Sequence, residues 1–248
     1  HKEHRASVDL VKLTLDSMNI KYVEKYRADI SVNDTDNRLT IALGGDGTSL
    51  DVSHSITSGY LLGVNSDPTH SVGFLCATAA KGLAAVLTDI LSESLIATSV
   101  ERVSCSVAGK KIDIPAMNEI LFADENPAAT SRYLISKEGL NQIPTEEQKS
   151  SGIWISSAMG STGALHSAGG FIQNVYDNAL QYSVREPYFG NGPYFKLSKG
   201  CVEQNDKLVI ISKMREGKLF IDGSHIRIPV DFGDRVEFTS GSPLKVFI

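Results

Sequence analysis

In TIALGGDGTSL, residues 40–50, a short apolar run ends at three glycines and one aspartate. A strand, a glycine-rich turn and a helix start together hold phosphate groups, because glycine lets the backbone approach the ligand and the helix N-terminus adds partial positive charge. The stretch lacks both the Walker lysine and the Rossmann spacing G-x-G-x-x-G. Among phosphates, the carboxylate of Asp46 needs a chemical task, such as general base or magnesium ligand. A plain Asp-Gly turn is the competing interpretation.

The composition limits the partners of the chain. Its 248 residues carry a formal net charge of −5, which gives no electrostatic footprint for nucleic acid or for an anionic membrane surface. No run approaches the ~20 apolar residues of a membrane span. We therefore expect no nucleic-acid partner and no membrane partner, and an anionic ligand has to be held by local backbone geometry.

The cysteines and histidines bear on redox state and metals. The three cysteines are odd in number and far apart, as is typical of free thiols in a reducing compartment. The six histidines show no spacing of a structural zinc site. We predict a cytoplasmic protein, with the mitochondrial matrix as the alternative.

Up to about residue 99, strand-like and helix-like segments alternate. The apolar runs RLTIAL and YLLGVNS read as strands, as does NIKYVEKY at 19–26, while DVSHSITSG and AAKGLAAVLTDILSES read as helices. This alternation predicts a parallel, Rossmann-like α/β sheet. Such a domain usually opens on a strand, whereas this chain opens on the helix-like segment KEHRASVDLVKLTLDSM. We therefore expect a short segment before residue 1.

After residue 99 the apolar period changes to two, as in Val103, Cys105 and Val107. Short strands with turn residues between them follow to the end, and only STGALHSAGG and the stretch around NALQY look helical. The sequence thus predicts a second, β-rich domain. The junction near residue 100 is a natural place for a ligand cleft.

Three further motifs follow the glycine loop. GGDGT is shared by NAD kinases, by lipid kinases of the diacylglycerol and sphingosine type and, loosely, by phosphofructokinases. GVNSDPTHSVGFL (63–75), MNEILF (117–122) and SGIWISSAMGSTGALHSAGG (151–170) come after it in the order found in NAD kinases. The chain resembles the NAD kinase family from about residue 3 to its end. SDPTHSVGFLC, NPAATSRY and VREPY are most similar to the plant NADH kinase and animal mitochondrial branch.

The resemblance implies a fold in two parts. An amino-terminal α/β domain spans residues 1–99 and is completed by about 234–248, whose last strand, LKVFI, returns to it. A carboxy-terminal, β-sandwich-like domain spans residues 100–233. The dinucleotide is then expected in the cleft between the domains, with the nucleoside triphosphate over the glycine loop.

The resemblance also implies an activity, which is ATP-dependent phosphorylation of the adenosine 2′-hydroxyl of NAD or NADH. Mg²⁺ is carried by ATP rather than by a protein metal site, and the enzyme is a homo-oligomer, a dimer or a tetramer. Asp46 is the base, and the phosphate loop consists of Gly44, Gly45, Gly47 and Thr48. Residues implied to contact the dinucleotide are Phe74, Asn118, Glu119, Ser151, Gly160, Ser161, Thr162, Gly163, Ala164, Ser167 and Asp222, of which Asn118 and Glu119 hold the ribose hydroxyls.

Two departures from the family pattern bear on the substrate. Ser151 replaces an aspartate, and Ala164 replaces an aromatic residue, which removes a negative charge and a flat platform that favour the cationic nicotinamide of NAD. We therefore expect NADH to be accepted at least as well as NAD. The alternatives are a catalytically silent NAD(H) sensor, disfavoured by the intact Asp46, and a lipid kinase, disfavoured by the negative charge and the Asn-Glu motif.

Overall fold

The computed structural model describes residues 2–36, 38–190 and 194–248. The chain forms two compact units: residues up to Ser99 together with Leu244–Ile248 make the first, and Val100–Pro243 makes the second. The prediction that residues 234–248 complete the first domain is wrong in its boundary. Arg235–Ser240 pairs with two strands of the second unit, so only the final strand returns to the first.

The order of elements follows the predicted change from mixed to β-rich structure. Short 3-10 helices lie at Arg27–Asp29, Ala80–Gly82 and Met159–Thr162. The helices and strands in chain order are α1 Lys2–Ser17, α2 Val32–Thr35, β1 Leu39–Gly44, α3 Asp46–Ser53, β2 Tyr60–Asn65, β3 Thr78–Ala79, α4 Leu83–Leu91, β4 Thr98–Val100, β5 Val103–Val107, β6 Lys110–Lys111, β7 Glu119–Asp124, β8 Ser131–Glu138, β9 Ile143–Ser150, β10 Ile153–Ser156, α5 Ala164–Ser167, β11 Leu180–Val184, β12 Lys199–Val202, β13 Lys207–Ser212, β14 Gly217–Ile221, β15 Ile226–Val230, β16 Arg235–Ser240 and β17 Leu244–Phe247. Within the described ranges, no helix is both long and apolar enough to cross a membrane.

The first unit is built on a sheet with the strand order β1-β2-β17-β4, and β3 also pairs with β2. β2 lies between β1 and β17 and is parallel to both. Helices α1 and α4 bury one apolar face each against this sheet, with Leu15, Leu83 and Leu87 packed in one cluster with Leu62 and Val64. The predicted α/β domain and the return of the last strand are confirmed.

Two segments of the first unit differ from the sequence prediction. Residues 19–26 form no strand, and Val23 and Tyr26 are 74% and 84% exposed, so the apolar residues that suggested a strand face solvent. The helix predicted from DVSHSITSG begins earlier, at Asp46, and ends at Ser53. The strand therefore passes into the helix with only Gly45 between them.

The second unit is a sandwich of two six-stranded sheets, ordered β12-β11-β10-β7-β14-β15 and β6-β5-β16-β13-β8-β9. Neighbouring strands are antiparallel, and their inward residues share one core that includes Phe122, Ile155 and Phe238. The β-sandwich-like domain is confirmed. The helix predicted around NALQY is wrong, because Leu180–Val184 is a strand between β10 and β12. STGALHSAGG forms only the 3-10 turn at Met159–Thr162 and the four-residue α5.

Candidate functional site

The glycine loop of the first unit joins β1 to α3. Gly45 is the N-cap of α3 in an extended conformation, and the N–H of Thr48 donates to the Gly45 carbonyl at 3.0 Å. The N–H groups ahead of Thr48 lie in the first helical turn, where no intrahelical acceptor is available to them. Together with the helix dipole, these free donors suit a bound anion.

The three glycines of the loop have different reasons to be glycine. A Cβ at Gly44 would lie 2.2 Å from Thr48 Oγ1 and 2.6 Å from Thr48 Cβ, so packing within the unit requires this glycine. A Cβ at Gly45 would lie 2.6 Å from Ser71 Oγ, so that hydroxyl would have to move. A Cβ at Gly47 would meet nothing within 4 Å. The packing of the chain therefore gives no reason for glycine at residue 47, and open space lies in front of the helix start.

The carboxylate of Asp46 is held by a single hydrogen bond. Its Oδ1 accepts the backbone N–H of Leu75 at 2.7 Å, and Oδ2 has no hydrogen-bond partner within the described part of the chain. The loop that carries Leu75 is itself fixed, because Asn65 Nδ2 donates to the Ser71 carbonyl at 3.0 Å and Gly73 adopts a left-handed φ of 64°. One oxygen of Asp46 is thus anchored, and the other remains available for chemistry.

Phe74 precedes the anchoring residue Leu75. Its side chain is 59% exposed, which is unusual for an aromatic ring that is merely part of a core. The exposed ring offers a stacking surface next to the loop. Its contact with the dinucleotide stays a prediction.

In the second unit, the Asn-Glu motif lies at the start of β7. Glu119 pairs with Ser156 of β10, and Asn118 directly precedes the strand. Asn118 Oδ1 and Glu119 Oε2 are both buried and have no hydrogen-bond partner among the residues described. Buried polar atoms are nearly always partnered, so these two neighbouring oxygens are candidates to bind the donors of a ligand.

Gly160 packs directly against this pair. A Cβ there would lie 2.6 Å from the Asn118 carbonyl, from Glu119 Oε2 and from Ser156 Oγ. Only glycine allows this close approach. Burial of the carboxyl group, and then the negative charge of Asp222, raises the pKa of Glu119 to about 7.

Asp222 supports the same motif from the turn after β14. Its carboxylate accepts the backbone N–H of Met117 at 2.7 Å, of Asn118 at 2.8 Å and of Glu119 at 3.0 Å. Both oxygens are therefore engaged by the backbone. Asp222 thus fixes the residues that present the two acceptors, and its contact with the dinucleotide stays a prediction.

The Gly-Ser-Thr segment divides into a buried part and an exposed part. Ser161 is fully buried, and its hydroxyl donates to the Ala158 carbonyl at 2.6 Å and accepts the Gln173 N–H at 3.0 Å. The Ser161 hydroxyl thus holds the turn, and its contact with the dinucleotide stays a prediction. The neighbouring residues that remain accessible are Thr162, Gly163, Ala164 and Ser167.

Ser151 is not brought to the Asn-Glu pair. It lies just before β10, whose other end, Ser156, pairs with Glu119. Five residues of extended chain span about 16 Å, so within one chain Ser151 and the pair are at opposite ends of the strand. Ser151 instead lines a cavity of about 390 Å³ together with Arg132, Lys149 and Tyr188.

Comparison with known proteins agrees with this architecture. No protein-family model matches the chain. It is 32% identical over 264 residues to a probable NADH kinase of rice (Oryza sativa subsp. japonica), covering 99% of this chain and 81% of the relative. It is also 32% identical over 267 residues to an NADH kinase of Arabidopsis thaliana, covering 100% and 84%.

Two solved structures share the fold. An NAD kinase from Archaeoglobus fulgidus, determined in complex with ATP, has a TM-score of 0.76 at 21% identity and covers 97% of this chain and 89% of its own. Yeast NADH kinase, determined with NADH, has a TM-score of 0.77 at 20% identity and covers 98% and 79%. The full-length similarity to the two plant enzymes defines the class of the chain as a kinase that acts on NAD(H). The chain belongs to the NAD kinase family, and its similarity to plant NADH kinases is confirmed.

Proposed function

We propose that the protein transfers the terminal phosphoryl group of ATP to the adenosine 2′-hydroxyl of NAD or NADH, giving NADP or NADPH. Its membership of the NAD kinase family carries the reaction class. The pair of buried, unpartnered oxygens on Asn118 and Glu119 is the observation that supports a ribose as the phosphoryl acceptor.

The two oxygens fit a ribose. The vicinal hydroxyls of a ribose present two O–H donors on adjacent carbons, and Asn118 Oδ1 and Glu119 Oε2 are two acceptors on adjacent residues. Each O–H takes one acceptor. A buried acceptor left without a donor costs about 1–3 kcal/mol, so the pair discriminates strongly in favour of a diol.

The glycine loop takes the phosphates of ATP. The free N–H groups at the start of α3 donate to phosphate oxygens, and the open space at Gly47 lets those oxygens approach the backbone. Thr48, whose hydroxyl packs against Gly44, stiffens the turn. The net negative charge of the chain makes such local donors necessary.

Asp46 acts as the general base. On binding, the 2′-hydroxyl donates its hydrogen to the Asn-Glu pair, and for the reaction it turns that hydrogen to Asp46, which takes the proton. The ribose oxygen then forms a bond to the γ-phosphorus, and the bond from that phosphorus to the β,γ-bridging oxygen breaks. ADP leaves, and the proton on Asp46 passes to solvent. The hydrogen bond from Leu75 keeps the carboxylate in one orientation while its second oxygen accepts the proton.

Mg²⁺ accompanies the nucleotide in this proposal. When bound, it neutralises charge on the β- and γ-phosphates. Phosphate oxygens of the nucleotide and water would hold the ion, which leaves the free oxygen of Asp46 for the proton. The only group of three potential ligands within the described ranges, Glu3, Asp67 and His70, does not include Asp46.

The protein uses NADH at least as well as NAD. Ala164, half-buried next to the Gly-Ser-Thr turn, leaves space where an aromatic residue would favour a flat ring. Ser151 carries no charge that would attract the oxidised, cationic ring. The negative charge that would favour NAD is therefore absent at residue 151.

Two further properties complete the proposal. The enzyme is a homo-oligomer, a dimer or a tetramer, and the exposed side chains of Phe171, Ile172 and Tyr176 in the second unit offer apolar surface for contact between copies. The location is the cytoplasm or the mitochondrial matrix, and the free thiols of Cys76, Cys105 and Cys201 suit either reducing compartment.

A coupled assay tests the function. The protein is incubated with ATP, Mg²⁺ and either NAD or NADH, and the product is detected with a dehydrogenase specific for NADP(H). We expect ATP-dependent product from both dinucleotides. Tight NADH binding without turnover would favour the silent sensor, and phosphorylation of diacylglycerol instead of the dinucleotide would favour the lipid kinase.

A further inference from the structure

The turn at Asp222 has unusual backbone geometry and unusual contacts. Asp222 follows β14 directly and has a left-handed φ of 46°, which is uncommon for a residue other than glycine. Its carboxylate accepts three backbone N–H groups at residues 117–119, and its own N–H donates to the Glu119 carbonyl at 3.0 Å. Four hydrogen bonds thus fix the backbone from which Asn118 and Glu119 project. Strained residues held by many contacts often mark functional sites.

The same turn places a second carboxylate close to a buried one. The negative charge of Asp222 helps to raise the pKa of Glu119, and both residues lie in the second unit. Two further charged residues, Glu101 and Arg102, lie before β5 and are buried. Arg102 interacts electrostatically with both Glu101 and Asp222. From β10 and the 3-10 turn the facing residues are Ser156 and Gly160, which do not titrate.

In this arrangement, ionisation of Glu119 depends on whether a hydrogen-bond donor reaches its Oε2. Without a partner for Oε2, a buried carboxylate beside another negative charge retains its proton more readily. A diol hydroxyl that donates to Oε2 favours the ionised form, because hydrogen bonds to a carboxylate are stronger when it is charged. Diol binding and loss of the Glu119 proton to solvent are then linked.

We infer that Asp222 is a positioning residue of the ribose subsite: it fixes the Asn118–Glu119 backbone and couples the binding of a vicinal diol to deprotonation of Glu119. The inference rests on the proposed function, since the diol is that of the dinucleotide. Asp222 acts through its neighbours, because its own oxygens are engaged by backbone N–H groups.

The coupling predicts a pH profile of affinity. With the pKa of Glu119 at about 7, roughly a tenth of the protein has the ionised carboxylate at pH 6 and roughly nine tenths at pH 8. The apparent affinity scales with the competent fraction, so the Kd for NADH is about tenfold higher at pH 6 than at pH 8. Calorimetry at pH 7 in two buffers of different ionisation enthalpy should show about half a proton released per NADH bound.

The test measures NADH binding without ATP, by NADH fluorescence, from pH 6 to pH 8.5. In Asp222→Asn we expect weaker binding overall and a midpoint at least about half a pH unit lower, because the like charge is gone. In the matched variant Glu119→Gln, which keeps the Asp222 contacts with the backbone, we expect a flat profile and no proton release.

The outcomes separate this inference from the proposed function. An unshifted midpoint in Asp222→Asn would overturn the inference, since a merely structural residue lowers affinity at every pH alike. If that variant does not fold, proton release near zero in the natural protein, or an unchanged profile in Glu119→Gln, would overturn it instead. Phosphoryl transfer that persists beside such results leaves the proposed function intact, whereas absence of NADH binding contradicts both.

Discussion

Replacing Gly47 by alanine separates the fold of the glycine loop from its function. Gly47 is the second residue of α3, and an added Cβ meets nothing within 4 Å. The substitution removes conformational freedom from the unfolded chain and places a better helix former in the first turn. We therefore expect Gly47→Ala to raise the free energy of unfolding by about 0.4–1 kcal/mol.

The same methyl group occupies the open space through which phosphate oxygens reach the backbone. A hydrogen bond from a backbone N–H to a charged phosphate is charge-assisted, so the loss of one such bond weakens ATP binding by about 1.5–3 kcal/mol. That energy corresponds to a KM for ATP that is at least about tenfold higher. The KM for the dinucleotide should change much less.

The assays are thermal unfolding, where we expect a rise of up to about 4 °C in Tm, and steady-state kinetics with ATP varied. Gly44→Ala is the contrasting variant, because its Cβ would lie 2.2 Å from Thr48 Oγ1 and should lower both stability and activity. A stabilised Gly47→Ala with an unchanged KM for ATP would refute the phosphate loop and favour a simple Asp-Gly turn.

Four other outcomes follow from the site. Asp46→Asn should lower kcat at least ~100-fold with NADH binding retained, and near-normal turnover would remove Asp46 as the base. Asn118→Ala should raise the KM for the dinucleotide about ten- to a hundredfold but not that for ATP, and equal effects would make the motif structural. Because the folded-state pKa of Glu119 is raised, the stability of the natural protein falls as pH rises from about 4.5 to about 7. Across that window, chemical denaturation should show the free energy of unfolding of Glu119→Gln rising relative to that of the natural protein by on the order of 2–3 kcal/mol. A constant difference would contradict the raised pKa. Compared at one ATP concentration, kcat/KM for NADH should equal or exceed that for NAD, and a preference for NAD above about tenfold would show the charge argument to be wrong.

The glycine loop was predictable because its determinants are local. An apolar strand, three glycines and a helix start lie within eleven residues, and each acts through backbone conformation that the residue itself sets. The alternating strands of the second unit were predictable for the same reason, since Val103, Cys105 and Val107 are buried as their period requires. β11 was misread because all five of its residues are buried, which removes the alternation that identifies a strand.

The supports of the site were not predictable because they depend on contacts between distant parts of the chain. Asp222 reaches Asn118 across 104 residues, and Leu75 reaches Asp46 across 29. Neither residue type identifies its partner in the sequence. The placement of β16 had the same difficulty, because the short connection to β17 does not reveal that the two strands join different sheets.

The most direct test of the account follows the phosphoryl group itself. The protein is incubated with ATP labelled at the γ-phosphate, Mg²⁺ and NADH, in parallel with Asp46→Asn, and the dinucleotide is isolated and its phosphate position determined by NMR. We expect one labelled phosphate per dinucleotide at the adenosine 2′-oxygen, formed at least ~100-fold more slowly by the variant. Label that stays in ATP, appears as free phosphate, or enters the dinucleotide equally fast in both proteins would contradict it.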